Sequence, residues 1–174
     1  ISSLRTRMAN VAMMPPSAHD NAPENHARYA REAKRAEAMS IGIDDSYIAL
    51  FVERFYATIR GDDILAPIFA ERIADWPAHL DRMNRFWRSV LHNSGEFSGN
   101  PMLKHIAIPG LAAEHFDRWL ALFYATLAEI EIFPQATLLV ADKARTIADS
   151  LLTGIEVQRS GIRGGRAGEG LPHV

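Results

Sequence analysis

Apolar side chains recur at helical spacing through the middle of the chain and predict an all-α domain. The first such segment is residues 44–60, the second is 76–93, the third is 112–133, and the fourth is 134–158. Alternation of apolar and polar residues between hairpin turns, which would indicate strands, is missing. The sequence therefore predicts four substantial helices with shorter ones between them.

The ends of these segments carry helix-capping residues. Asp44 or Asp45 can cap the first helix, and Gly61 can end it. Asp75 precedes the second helix, which has a proline in its first turn. A short helix is predicted over 101–108, between Pro101 and the Pro109-Gly110 pair. Its bracketing prolines make it a rigid mount for a side chain.

The two flanks differ from this middle part. Residues 1–22 are rich in Pro, Ser, Asn and Met, and we predict a mobile tail. Residues 23–39 are strong helix formers with few apolar positions, which favours a solvated helix. Residues 161–174 contain five glycines, and we expect them to be disordered.

Composition narrows the possible functions. The 174 residues suit one domain, and the formal net charge of −2 argues against binding to nucleic acid or an anionic membrane. Without cysteine, the chain cannot form disulfides, thiolate zinc sites or iron–sulfur clusters. No apolar run approaches the ~20 residues that span a bilayer. We expect a cytoplasmic protein.

Histidine is the only soft donor present in number, with seven in the chain, and is therefore the candidate metal ligand. His92 and His115 are interpreted as surface residues at helix ends. His79 shares an inward face with Met83 and Phe86, which also fits a core histidine bonded to a carbonyl. His105 lies on the short proline-bracketed helix, where a surface histidine is the alternative. No His-x-x-x-His pair supports a catalytic zinc.

Several motifs occur in an order and spacing that go beyond the helical pattern. They are Phe55-Tyr56, Pro67-Ile68-Phe69, Trp76-Pro-Ala-His79-Leu, Phe86-Trp87-Arg-Ser-Val-Leu91, Phe97-Ser-Gly99-Asn-Pro101-Met-Leu-Lys-His105 and His115-Phe116-Asp-Arg-Trp119-Leu-Ala-Leu-Phe123. This series resembles the truncated haemoglobins, specifically their third group, over roughly residues 45–157. One departure is Phe97, where the family often has a tyrosine.

The resemblance implies a two-over-two helical sandwich around a haem b. It divides the chain into an N-terminal extension (1–44) with an extra helix, a truncated globin domain (45–158) and a disordered tail (159–174). It makes His105 the proximal iron ligand, and Tyr56, His79 and Trp119 the residues on the ligand side. The other residues expected around the haem are Phe69, Arg82, Met83, Phe86, Trp87, Phe97, Phe123, Ile147 and Leu151.

The resemblance leaves the roles of three residues open. His79 could gate the haem edge, or it could itself take the sixth position on the iron. Arg82 could pair with a haem propionate or remain a solvated arginine. Trp119 could donate its indole N–H to a bound gas or simply fill the core.

The implied function is reversible binding of O2, or of NO, CO or sulfide, by a monomer or weak homodimer. The alternative is a haem enzyme that converts NO with O2 or turns over peroxide. Such an enzyme would need an external reductase, because the sequence has no flavin or nicotinamide motif. A helical interaction module without a cofactor is a third hypothesis, but it gives inward polar residues on three different helices no role.

Overall fold

The computed structural model describes residues 22–161 and 167–174, with side chains from residue 23. Within these ranges the chain forms helices and turns, and no strand. The helices are α1 (Ala22–Ser40), α2 (Asp45–Arg60), α3 (Ala66–Ala70), α4 (Trp76–His92), α5 (Pro101–Ile106), α6 (Ala113–Glu129) and α7 (Pro134–Ser160). The expected mobile tail over 1–22 lies, up to residue 21, outside the described residues.

Local sequence accounts for where the main helices begin and end. Asp44 accepts a hydrogen bond from the Tyr47 N–H at 2.8 Å, and Asp75 accepts one from the Ala78 N–H at 3.0 Å. Each carboxylate satisfies a backbone donor that has no partner inside its helix. At the other end of α4, Asn93 closes the helix in the left-handed conformation with φ 56°.

The long helices form two crossed layers. α2 lies against α4, and α6 lies against α7, while α2 also packs on α6. This is the two-over-two sandwich that the resemblance implied. The contacts are made by fully buried apolar side chains, among them Phe51, Phe55, Phe123 and Leu120. Their burial is the main source of stability for such a fold.

The N-terminal helix is held to the sandwich by polar contacts at its end. α1 packs on α4, and the Lys34 ammonium donates to the Val90 carbonyl at 3.2 Å. The turn after α1 brings the Ile43 carbonyl within 2.7 Å of His92 Nε2. His92 is only 2% exposed, so its interpretation as a surface residue is wrong. Its ring instead ties α4 to the start of the globular part.

The C-terminal residues 167–174 lie against α6 and α7, which corrects the expectation that they are disordered. Leu171 is 3% exposed, and the Tyr124 hydroxyl donates to the Pro172 carbonyl at 2.9 Å. Arg145 donates to the carbonyls of Glu169 and Leu171. Residues 162–166, part of the same prediction, lie outside the described residues.

A buried aspartate, paired with an exposed arginine, fixes the turn between α2 and α3. Asp62 accepts from Arg118 Nε at 2.7 Å and from the N–H groups of Ile64 and Leu65. Burial alone would raise the pKa of Asp62, but these hydrogen bonds and the Arg118 charge hold it below its usual range. None of the described helices is long and apolar enough to cross a membrane.

Candidate functional site

A cavity of about 340 Å³ lies between the two layers. Its size is in the range of small-molecule and cofactor pockets, about 300–1,000 Å³. Apolar and aromatic side chains make most of its wall, and three histidines reach it, namely His79, His105 and His115. Two groups of helices make its wall: α5 packs on α7, and α2 packs on α3, α4 and α6.

His105 reaches the cavity from α5 with one ring nitrogen already committed. Asn100 caps this helix by accepting from the Leu103 N–H at 3.1 Å. The His105 Nδ1 lies 2.7 Å from the Pro101 carbonyl oxygen. A carbonyl can only accept, so Nδ1 carries the proton, and a neutral imidazole then keeps a lone pair on Nε2. That is the arrangement of a metal-ligating histidine.

The close approach of α5 to α7 depends on a glycine. Gly154 lies on α7 directly against Met102 of α5, and a Cβ added at this glycine would collide with the methionine Sδ. A larger residue would make the Met102 side chain take another position. The missing side chain therefore gives Met102 its place between α5 and α7.

Tyr56 reaches the cavity from α2. Its side chain is 6% exposed, and burial raises the pKa of its hydroxyl well above the ordinary value. The hydroxyl therefore stays protonated and can donate. Its ring meets those of Phe69 and His79 edge to face, at centroid distances of 6.0 and 5.0 Å. These contacts fix the ring while leaving the hydroxyl without a hydrogen bond to the described residues.

His79 contributes a second uncommitted polar atom at the cavity. Its Nε2 is buried and has no hydrogen-bond partner among the described residues. Burial and then the positive charge of Arg82 lower the pKa of the imidazole, which favours the neutral form. A buried polar atom without a partner is costly in a folded protein and calls for an explanation. A molecule bound in the cavity would supply the missing hydrogen-bond partner.

Trp119 lies on α6 and lines the same cavity. Phe55 of α2 meets its indole edge to face at 5.2 Å. Phe123, one turn further along α6, was expected to line the cavity too, but it does not. It is fully buried behind Trp119, with the two ring planes nearly parallel at 12°. The helical spacing places Phe123 on the inward face of α6 with Trp119, but it does not show that Phe123 lies deeper in the core than the cavity wall.

Three exposed cations stand at the cavity: Arg72, Arg82 and Lys104. No aspartate or glutamate lines it in the described part of the chain. Arg72 also pairs with Glu71 at 3.0 Å, and it donates to the Ile68 carbonyl. The rim is therefore suited to carboxylate groups of a bound molecule.

The structure gathers every other predicted site residue around this one cavity. Those on its wall are Tyr56, Phe69, His79, Arg82, Met83, Phe86, Trp87, Phe97, His105, Trp119, Ile147 and Leu151. Phe97 faces Phe86 edge to face at 5.1 Å and so provides an aromatic wall. Placement around one cavity leaves the individual roles of these residues as predictions.

Other wall residues were not predicted. His115 was interpreted as a surface residue, but it lines the cavity, and its Nδ1 accepts from the Ala112 N–H at 3.1 Å. The unpredicted members of the wall are Leu65, Ile68, Arg72, Ile73, Gly99, Asn100, Pro101, Lys104, Ile108, Leu111, Phe116 and Ala148. Most lie on α3, α5 or the loops beside them, where short segments give no periodic signal.

Comparison with known proteins identifies the family. The group 3 truncated haemoglobin ctb of Campylobacter jejuni is 35% identical over 89 residues, which are 49% of this chain and 70% of that protein. The chain belongs to the group 3 truncated haemoglobins. The resemblance inferred from the sequence motifs is thereby confirmed. No family model matches the chain.

Solved structures agree with this assignment to the group 3 truncated haemoglobins. The group III truncated haemoglobin of Campylobacter jejuni superposes with a TM-score of 0.62 at 29% identity, over 65% of this chain and 91% of that one. The 2/2 haemoglobin of Synechococcus sp. PCC 7002 gives a TM-score of 0.55 at 20% identity, over 68% and 95%. The second likeness shows the fold alone.

Proposed function

We propose that this group 3 truncated haemoglobin holds haem b in the cavity through His105 and binds O2 reversibly. The observation that carries the proposal is the state of the His105 ring. Its Nδ1 donates to the Pro101 carbonyl at 2.7 Å, which leaves Nε2 as an electron-pair donor at the cavity. Haem bound there would supply an iron that can take up a diatomic gas.

The residues around the cavity fit this cofactor. A porphyrin is flat and apolar over most of its surface, and the wall offers aromatic faces and aliphatic side chains. Its two propionates need cations, and Arg82 and Lys104 stand exposed at the rim. The buried Nε2 of His79, which has no hydrogen-bond partner among the described residues, further supports a molecule bound in the cavity.

The residues on the other side would control a small ligand. Tyr56 brings a protonated hydroxyl, and Trp119 brings an indole N–H that can only donate. Both stand among apolar rings that exclude water, and a hydrogen bond is stronger in such a low-dielectric site. Donors held in place before the ligand arrives stabilise the partial negative charge that O2 acquires when it binds.

Absorption spectra of the ferric, ferrous and CO-bound protein test the proposal. Wild-type protein supplied with haem should show the spectra of a histidine-ligated globin. His105→Ala should weaken haem retention by more than the ~10- to 100-fold that loss of an outer partner of a metal ligand costs. His115→Ala is the matched control, because the His115 Nδ1 accepts from the Ala112 N–H, and the Nε2 of the neutral ring then carries the proton and has no lone pair for a metal.

Two results would overturn this assignment. One is wild-type protein that stays colourless after haem is added. The other is His105→Ala protein with the same spectra as wild type and as His115→Ala. Added imidazole should restore a histidine-like spectrum to His105→Gly, because the free ligand can occupy the space of the missing side chain.

A further inference from the structure

Three aromatic rings form a continuous stack beside the cavity. Phe123 stands between Trp87 of α4 and Trp119 of its own helix, with ring centroids 5.3 and 5.1 Å away. The planes are close to parallel, at 22° and 12°. The two indoles line the cavity, whereas the phenyl ring is fully buried behind them.

Two phenylalanines of α2 press their edges against this stack. Phe55 meets Trp119 at 5.2 Å and Phe123 at 5.0 Å, both edge to face. Phe51, one turn earlier, meets Trp87 at 5.2 Å and Phe123 at 5.7 Å in the same manner. Aromatic rings favour these parallel and edge-to-face arrangements by about 0.5–1.5 kcal/mol a pair beyond the area they bury.

The stack restrains the ring of Trp119 in a specific way. Phe123 follows it by four residues, so the two side chains share one face of α6. Phe123 meets the flat face of the indole, and Phe55 meets it in the perpendicular sense, at interplanar angles of 12° and 82°. Rotation of the indole would break both contacts at once. The plane in which its N–H lies is therefore set by residues behind the cavity wall.

We propose that Phe123 is a positioning residue for ligand binding, acting through the orientation of the Trp119 indole. It does not touch the cavity itself. The inference rests on the proposed function, because the N–H of Trp119 matters only if a ligand binds beside it. Phe123 is an apolar core residue, and neither its burial nor its side-chain chemistry would by itself indicate a role in ligand binding.

The test compares Phe123→Leu with Phe51→Leu. Both replace a fully buried phenyl ring with the same aliphatic side chain, but the ring contacts of Phe51 are with Tyr47, Trp87 and Phe123 rather than Trp119. The C–O stretching frequency of the CO-bound protein and the O2 dissociation rate are measured for each. We expect Phe123→Leu to shift the frequency and to speed release about 2- to 10-fold.

Phe51→Leu should lose similar stability to urea yet keep the wild-type frequency. In a Trp119→Phe background the effect of Phe123→Leu on dissociation should disappear, since the donor it positions is gone. Phe123→Met, which keeps more of the volume, serves if the leucine variant does not fold. An unchanged frequency in both Phe123 variants, or an undiminished effect without Trp119, would overturn the inference.

Failure of this inference is distinguishable from failure of the proposed function. Wild-type protein that takes up no haem overturns both. Protein that takes up haem and responds to Trp119→Phe, but not to Phe123→Leu or Phe123→Met, overturns the positioning role alone.

Discussion

The two sides of the cavity differ in whether their polar side chains already make hydrogen bonds within the protein. On the α5–α7 side, the single imidazole of His105 has one nitrogen committed to Pro101, and its helix is fitted onto α7 at Gly154. On the α2–α4–α6 side, Tyr56 and His79 present polar atoms that make no hydrogen bond within the described residues. One side is complete before any ligand arrives, and the other is not.

This difference teaches how a single cavity can serve two purposes. A permanent ligand is held best by a donor whose tautomer and direction are already fixed. A transient ligand needs donors that are free when it arrives and can be released when it leaves. A buried polar atom without a hydrogen bond, such as His79 Nε2, lowers stability, and such atoms are expected at functional sites.

The largest expected effect is on the incomplete side. Tyr56→Phe and Trp119→Phe should each speed O2 release by about one to two decades, because a hydrogen bond to a charged acceptor contributes about 1.5–3 kcal/mol. Stopped-flow measurement of O2 dissociation checks this. Haem retention should not change in either variant, because His105 is untouched. If neither variant alters the dissociation rate, the assignment of both donors is wrong.

The next effect concerns the complete side. Gly154→Val should displace the Met102 side chain and lower the free energy of unfolding by about 1–3 kcal/mol. The iron–histidine stretching frequency of the ferrous protein reports how far this displacement reaches His105, three residues further along α5. Gly61→Val is the control, since a Cβ there meets only the Thr58 carbonyl, at 3.7 Å. Equal stability of the two variants would show that α5 does not depend on this contact.

The smallest effect is a pH dependence from His79. Its pKa in the folded protein lies below the ordinary 6.5, so the unfolded chain takes up the proton first as the pH falls. Its contribution to stability is full above the unfolded pKa, and it is lost progressively as the pH falls from there through the lower folded pKa. Wild type should therefore lose more unfolding free energy than His79→Gln between pH 7.5 and 5.5 in urea titrations. Parallel curves would contradict the buried, neutral state of this imidazole.

Sequence alone predicted the short helix that carries His105, although it did not predict which of the neighbouring residues line the cavity. The element around His105 is local, because a capping asparagine, Pro101 and the Pro109-Gly110 pair all lie within eleven residues. Its hydrogen bond also runs to a residue one turn away. Local signals of this kind survive without knowledge of the tertiary fold.

What the sequence missed depends on distant contacts. His92 is buried where it contacts the Ile43 carbonyl, 49 residues away along the chain. Phe123 lies behind Trp119 because α4 places Trp87 on its other face. The packing of residues 167–174 depends on Tyr124 and Arg145, which no local pattern connects to a glycine-rich segment. Periodicity identifies the face of a helix, but not what covers it.

The uneven charge around the cavity opening has a consequence for how fast an anion arrives. The chain as a whole carries a formal charge of −2, yet the opening presents Arg72, Arg82 and Lys104 without an acidic residue in its lining. Within the Debye length, about 8 Å at physiological salt, an incoming anion would meet the charges of Arg82 and Lys104, since Arg72 is already paired with Glu71. Diffusional capture is thereby steered to the opening with the acidic groups of the incoming molecule foremost, and added salt weakens that guidance.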